Sequence, residues 1–183
     1  RKLRREKEEH NGFYDDSYGK RLLLGPLYML AGDLEGALRH FRWFEQEFPD
    51  DDRVAEQCMC WALALYRSGD VAGAMRNLRQ AMLLNVHILP RLLGMKVAPT
   101  KQTTKDDFDF DYMYLGYMPP EYFALWTDAE RRWAAKLYDG ADFQAARARY
   151  NEIEKRLEEL EPGPERTRLV NEASKLVYGK SFV

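Results

Sequence analysis

A Gly-Asp pair recurs between apolar helical segments of this chain. The first pair, Gly32-Asp33, lies within LLGPLYMLAGDLEGALRHFRWFEQEFPDD, and the second, Gly69-Asp70, lies within CWALALYRSGDVAGAMRNLRQAMLLN. On both sides of each pair, apolar residues recur at the three- and four-residue spacing of an amphipathic helix. Because aspartate is a preferred N-cap, each pair predicts a short turn that leads into a second helix. The chain is therefore expected to repeat a helix–turn–helix unit.

A third unit of the same kind is expected over residues 127–160. It opens with Thr127 and Glu130, at the spacing of a capping box. Trp133 and Leu137 precede its Asp-Gly turn at helical spacing, and further apolar residues follow the turn. Small alanines beside large residues favour tightly packed antiparallel helix pairs. We therefore predict three helix pairs.

The first unit carries a pattern that resembles the tetratricopeptide repeat. The residues that carry the resemblance are Leu24, Gly25, Tyr28, Gly32, Ala37, Phe41, Phe44 and Pro49. Residues 18–51 match this pattern nearly completely, residues 55–88 match it less well, and residues 127–160 match it weakly. Tetratricopeptide repeats have a period of about 34 residues and stack into a solenoid. The resemblance implies the same architecture here.

A second resemblance covers about half of the chain. FYDDSYGKRLLLGPLYMLAGDLEGALRHF, FPDD, WALALYRSGD and AMLLNVHILPRLLG are together similar to the repeat region of suppressor-of-tumorigenicity-7-like proteins and of bacterial proteins with a C-terminal SEC-C zinc motif. The segment after the second repeat is matched by Asn85, His87, Pro90, Leu92, Leu93 and Gly94. The SEC-C cysteines have no counterpart here. The resemblance implies a helical repeat fold and no particular chemistry.

We therefore expect one all-α domain over residues 1–183: a tetratricopeptide-like, right-handed solenoid of antiparallel helix pairs with about seven helices. Its other parts are a charged N-terminal tail at 1–15, an irregular insert at 89–126 and a C-terminal capping helix at 164–178. Hydrophobic residues make up 45% of the chain and aromatic residues 13%, enough for a substantial core.

Charge and cysteine content narrow the class of partner. The chain has 28 basic and 30 acidic residues, with a net charge of -2, so no overall positive field favours nucleic acid. No apolar run has the length of about 18 residues that indicates a membrane span. The two cysteines, Cys58 and Cys60, are too close in sequence to staple distant parts of the fold. We therefore expect a cytoplasmic protein that binds neither nucleic acid nor membrane.

A cation site is one interpretation of the DFDFD stretch. Asp107, Asp109 and Asp111 have the 1, 3, 5 spacing of a calcium loop, but the glycine at position 6 and the glutamate at position 12 are missing. A metal-dependent site, which would recruit Glu121 or Glu130, therefore stays an alternative, and our prediction is that no metal or cofactor is bound.

A helix start is the preferred interpretation of the same stretch. Asp106 or Asp107 would cap a helix, and a break would follow at Pro119-Pro120. The residues expected on its buried face are Phe108, Tyr112 and Leu115.

No catalytic residue is predicted. Cys58 and Cys60 point in different directions on a helix and cannot complete a tetrahedral metal site, so Cys58 is expected in the core. His10, His40 and His87 are scattered, and the ring of His87 is expected to hydrogen-bond the backbone of a connector. A non-enzymatic function follows from this.

A groove on the concave face is the predicted binding site. The tetratricopeptide resemblance implies that the first helix of each pair lines it and that it takes a peptide or an amphipathic helix of a partner protein. The residues we expect to contact the partner are Met29, Met59, Leu63, Tyr66, Arg67, Arg131 and Tyr138. Two alternatives remain open. The chain's own insert or last helix covers this surface, or the protein is a homodimer that pairs through Tyr112, Tyr114, Tyr117 and Phe123.

Overall fold

A computed structural model describes residues 19–99 and 109–179 of the chain, and within these ranges the fold is all-helical with no strand. The described helices are α1 (Lys20–Leu30), α2 (Leu34–Glu47), α3 (Ala55–Arg67), α4 (Val71–Leu84), α5 (Ile88–Leu92), α6 (Phe110–Tyr117), α7 (Glu121–Ala124), α8 (Asp128–Tyr138), α9 (Ala141–Glu159) and α10 (Pro164–Tyr178). The all-α prediction is confirmed. The tail at 1–15 lies outside the described residues.

The two Gly-Asp turns have the same geometry. Gly32 and Gly69 adopt left-handed φ values of 73° and 89°, which glycine tolerates without strain. The following aspartates cap the next helix: Asp33 accepts a hydrogen bond from the Gly36 amide at 2.7 Å, and Asp70 accepts one from the Gly73 amide at 2.8 Å. The predicted N-caps are confirmed.

The second glycine of each GDxxG sequence is required by the capping aspartate. A Cβ atom on Gly73 would lie 2.4 Å from Asp70 Oδ2, and one on Gly36 would lie 2.3 Å from Asp33 Oδ2. Because no side chain fits there while the cap is in place, cap and glycine form one local motif. Apolar periodicity does not indicate that Gly36 and Gly73 make room for the capping carboxylates.

The first two helix pairs form the centre of the core. Helix α1 packs against α2 and α3, and α3 packs closely against α4. The aromatic rings of Phe41 and Trp61 stack with centroids 5.0 Å apart. A Cβ atom at Gly25 would lie 2.1 Å from the Phe41 ring, so this glycine allows α1 to approach α2. Alanines beside large residues were predicted to favour closely packed helix pairs, and the first two pairs have this packing.

The third unit does not repeat this arrangement. Its turn residue Gly140 has φ -70° and no side-chain cap, so it is not the left-handed turn of the first two units. Helix α9 packs against α10 and α4 and contacts α8 only slightly, whereas α8 also contacts α5. The predicted capping box between Thr127 and Glu130 is present. Helices α8 and α9 are therefore packed less closely than the helices of the first two pairs, and α9 packs mainly with α10.

The insert at 89–126, expected to be irregular, contains most of α5 and all of α6 and α7 in its described part. The N-cap of α6 is Asp109, whose side chain accepts from the Tyr112 amide at 2.9 Å. The prediction that Asp106 or Asp107 caps this helix therefore placed the cap too early; both residues, and Phe108, lie outside the described ranges. Leu115 is buried as predicted, whereas Tyr112 is half-exposed. The chain breaks at Pro119-Pro120, also as predicted.

The last helix, α10, covers the range 164–178 expected for it and packs against α9 and α4. Among the described helices, none combines the length and the hydrophobicity that crossing a membrane requires.

The GDxxG motif can be tested with a double-mutant cycle at Asp70 and Gly73. We expect Asp70→Ala to cost about 1 kcal/mol of the free energy of unfolding, as loss of an N-cap does. Gly73→Ala alone should also destabilise, because its Cβ meets the Asp70 carboxylate. In the Asp70→Ala background the same change should be neutral or stabilising, since alanine favours helix over glycine by about 1 kcal/mol.

Urea unfolding of the four proteins measures this coupling. Strict additivity of the two single losses would show that the cap does not set the requirement for glycine.

Candidate partner-binding site

Four of the predicted groove residues lie inside the core. Met29 is 3% exposed, Met59 and Leu63 are 0% exposed, and Tyr138 is 6% exposed. The Tyr138 hydroxyl accepts a hydrogen bond from Arg147, whose guanidinium also lies over the Tyr138 ring at 4.9 Å. In this conformation, none of the four side chains presents an open surface to a partner.

The groove residues at the C-terminal end of α3 bind the chain's own later segment. The Tyr66 ring contacts the Trp133 ring, with centroids 4.4 Å apart. Arg67 donates to both carboxylate oxygens of Glu130, at 2.8 and 3.1 Å, and to the carbonyl of Leu125 at 2.7 Å. The Arg67–Glu130 pair joins α3 to the first turn of α8.

Glu130 is the residue on which these contacts converge. Its Oε2 also accepts hydrogen bonds from the Thr127 amide at 2.7 Å and the Thr127 hydroxyl at 2.9 Å. Burial raises the pKa of Glu130, but the hydrogen bonds from Arg67 and Thr127 outweigh burial and hold it below its usual range. One carboxylate therefore completes the capping box of α8 and holds α8 to α3.

Arg131 binds three backbone carbonyls of the same chain. Its guanidinium donates to Leu92, to Phe123 at 2.6 Å and to Trp126 at 3.2 Å. Helix α7 also packs against α1. Arg131 is therefore engaged within the chain, where it ties α5 and the segment before α8 to α8.

The candidate metal residues are engaged in structural contacts. Asp109 caps α6 and binds His87, with His87 Nε2 and Asp109 Oδ2 2.9 Å apart. The Asp111 carboxylate accepts from the Val86 amide at 3.3 Å, and its carbonyl accepts from Asn85 at 3.0 Å. The ring of His87 thus binds a carboxylate, where a backbone partner was expected. Asp107 lies outside the described residues.

These contacts tie the connector after α4 to the start of α6. Within residues 19–99 and 109–179, no group of three or more His, Cys, Asp or Glu residues is placed to hold a metal ion.

Cys58 and Cys60 are both free and buried, which confirms the core position predicted for Cys58. Burial raises the pKa of the Cys58 thiol to about 12, so it stays protonated and unreactive at neutral pH. Glu56, in the same helix, is also buried, and burial raises its pKa although the Tyr114 hydroxyl donates to it at 2.6 Å. The hydrogen bond between Tyr114 and Glu56 holds α6 against α3.

An open cavity of about 760 Å³ is lined by residues of five helices, α2, α3, α4, α9 and α10. Trp61 and Leu65 of α3 contribute apolar surface, as do Leu38 of α2 and Val177 of α10. The cavity therefore has a partly apolar lining.

Five basic and four acidic side chains line this cavity, and four of the basic ones are unpaired. Arg42, Arg76, Arg79 and Lys175 line it, and none of them forms an ion pair with a described residue. Arg53 is different: it pairs with Glu45 at 3.2 Å, donates to Gln80 at 3.2 Å and lies over the Trp61 ring at 4.6 Å.

The carboxylates in the cavity wall are largely engaged. Asp51 pairs with Arg21 at 2.6 Å, Asp70 caps α4, and Glu45 binds Arg53. Asp70 and Asp142 have no cationic partner among the described residues. Four cations of the wall also lack an ion pair, so its uncompensated charge is positive.

Two polar atoms of the same wall have no hydrogen-bond partner within the described residues. Asn77, which is only 8% exposed, donates through Nδ2 to the Gly73 carbonyl at 3.0 Å, but its Oδ1 is buried and unpaired. Arg79 Nε is likewise buried without an acceptor. Both atoms have almost no accessible surface, so they belong to the packing behind the cavity wall and do not face its open space.

The cavity is not among the sites predicted from the sequence. Its one local indication is the i, i+3 spacing of Arg76 and Arg79, which places them on one helix face. Arg42 and Lys175 join them only because α2 and α10 flank α4 in space.

Helix α6 presents a second exposed surface. Phe110, Met113, Tyr114 and Tyr117 follow the i, i+3, i+4, i+7 spacing of one helix face and are 70%, 37%, 44% and 78% exposed. We call these four residues the α6 aromatic stripe.

Comparisons with protein-family models, with curated proteins and with solved structures found no match to this chain.

The Arg67–Glu130 contact predicts a stability effect for Arg67→Ala. Loss of hydrogen bonds to a buried carboxylate should lower the free energy of unfolding by about 1–2 kcal/mol at pH 7. The pKa of Glu130 is lower in the folded state, so its stabilisation is present above the ordinary value of 4.5 and is lost as the pH falls through the folded value. The difference between wild type and variant should therefore shrink in acid.

Thermal or urea unfolding between neutral and acidic pH measures this difference. Arg132→Ala is the matched control, because Arg132 is exposed on α8, the helix of Glu130, and has no partner within the described residues. An equal loss of stability in both variants would contradict the contact.

Proposed function

We propose that this protein is a non-enzymatic protein-interaction module that binds a peptide segment of a partner in the cavity between α2, α4 and α10. The observation that carries the proposal is that this open cavity has an apolar lining and four cations without an ion pair, whereas Met29, Met59, Leu63 and Tyr138 are buried. Its volume of about 760 Å³ lies within the range of about 300–1,000 Å³ that is usual for ligand pockets.

We also propose that the helix pairs form a tetratricopeptide-like stack that serves as a rigid scaffold. The support is the equivalence of the turns at Gly32 and Gly69, together with the packing of α1 on α3. Binding of a helix or peptide in the concave groove remains a further route within this proposal, and it requires the buried side chains of Met59 and Leu63 to become exposed. A cytoplasmic location is supported by the two free thiols.

The proposed function can be tested by filling the cavity. Met75 lines the cavity and is 38% exposed, so Met75→Trp adds bulk without burying a larger side chain in the core. Peptides selected from a random display library against the wild-type chain should lose at least tenfold in affinity for this variant, measured by fluorescence anisotropy. Met95→Trp is the control, because Met95 is exposed and does not line the cavity.

A selection that yields no peptide sensitive to Met75→Trp would count against the cavity as the binding site. Circular dichroism of both variants shows whether the fold is retained.

A homo-oligomer is the second candidate, and the α6 aromatic stripe favours it. Large apolar side chains arranged on one exposed helix face are typical of contact surfaces. In a homodimer, the same stripe on two copies would pack about a two-fold axis.

Light scattering at increasing concentration tests this second candidate. We expect the mass to rise towards that of a dimer in the wild type and to stay monomeric in Phe110→Glu with Tyr117→Glu. The matched control replaces Leu23 and Leu27, which are exposed on α1, with glutamate. A monomeric wild type at millimolar concentration removes the homo-oligomer.

A further inference from the structure

We infer that the ligand of the cavity is an extended acidic peptide in which carboxylate side chains alternate with apolar ones, an inference that rests on the proposed function. It names the chemistry of the partner segment: glutamate or aspartate side chains for the cationic walls, and apolar side chains for the apolar lining.

The cations lie on different walls of the cavity. Arg42 belongs to α2, Arg76 and Arg79 belong to α4, and Lys175 belongs to α10. A single small anion can be reached by few of these groups at once, whereas a peptide that runs along the cavity can meet them in succession. Arginine side chains hydrogen-bond carboxylates in a bidentate geometry, so separate carboxylates suit these walls.

A phosphate group fits the same cavity less well. Phosphate sites in proteins commonly use free backbone amides at a helix N-terminus. At α4, the Asp70 carboxylate already accepts from the Gly73 amide, and Asp142 adds a negative charge in the first turn of α9. Both acids repel a dianion, while the singly charged carboxylates of a peptide can approach the arginines farther along α4.

The apolar part of the lining matches the second kind of side chain in such a peptide. The apolar surface of Leu38, Leu65 and Val177 needs an apolar ligand group. In an extended chain successive side chains point to opposite sides, so alternating acidic and apolar residues serve wall and lining together.

The probe is a fluorescein-labelled synthetic decapeptide of alternating glutamate and leucine, and the matched probe has glutamine in place of glutamate. Anisotropy titrations with the complete chain should show at least tenfold tighter binding of the glutamate peptide at low salt. The preference should fall as salt rises, because the cations are partly exposed. Arg76→Gln with Arg79→Gln should remove the preference, and Arg39→Gln with Arg132→Gln, which lie outside the cavity, should leave it unchanged.

Each outcome separates this inference from the proposed function. Equal binding of both peptides, no binding of either up to millimolar concentration, or displacement by equimolar inorganic phosphate overturns the acidic-peptide inference. Suppose that the selected display peptides bind Met75→Trp at least tenfold more weakly while their affinity does not depend on Arg76 and Arg79. In that case the cavity remains a peptide site and only the acidic class of peptide is wrong. If no peptide is sensitive to Met75→Trp, the proposed function fails as well.

Discussion

The position of α8 against α3 depends on the hydrogen bonds that the Glu130 carboxylate accepts. This carboxylate accepts hydrogen bonds from Thr127, at the start of its own helix, and from Arg67, at the end of α3. Arg67 also holds the Leu125 carbonyl, so α8 and the segment before it are positioned together. A buried carboxylate with this many donors is stable in its charged form, and removal of one partner leaves the others to compensate for a desolvated charge.

This closure changes which surfaces of the repeat can bind another molecule. Arg131 continues it by donating to the carbonyls of Phe123 and Trp126, which ties the segment before α8 to that helix. Met29, Met59 and Leu63, which the tetratricopeptide resemblance would place in a groove, are buried inside the core. The open cavity is lined instead by residues of α2, α3, α4, α9 and α10.

The features that could be predicted from the sequence are local. Asp33 and Asp70 cap helices three residues from the amides they bind, and Thr127 and Glu130 form a capping box within one turn. Such contacts depend on short spacings that are visible in the sequence. The Arg67–Glu130 pair joins residues 63 positions apart, and nothing in the spacing of either residue indicates its partner. Repeat position predicts an open groove at Arg67 and Met59, but position in a repeat does not determine whether a side chain is exposed.

The packing of the third unit and the cavity's charge both depend on contacts that the sequence does not show. The Asp-Gly order at 139–140 lacks the left-handed glycine and the capping aspartate of the earlier turns, and α9 packs mainly on α10. That packing brings Lys175 to the wall that Arg76 and Arg79 line. The net charge of -2 hides the local excess, because Glu45 and Asp51 are held in ion pairs while four cations of the wall are not. What decides the character of a surface is thus which charges remain unpaired after folding, and composition reports only their sum.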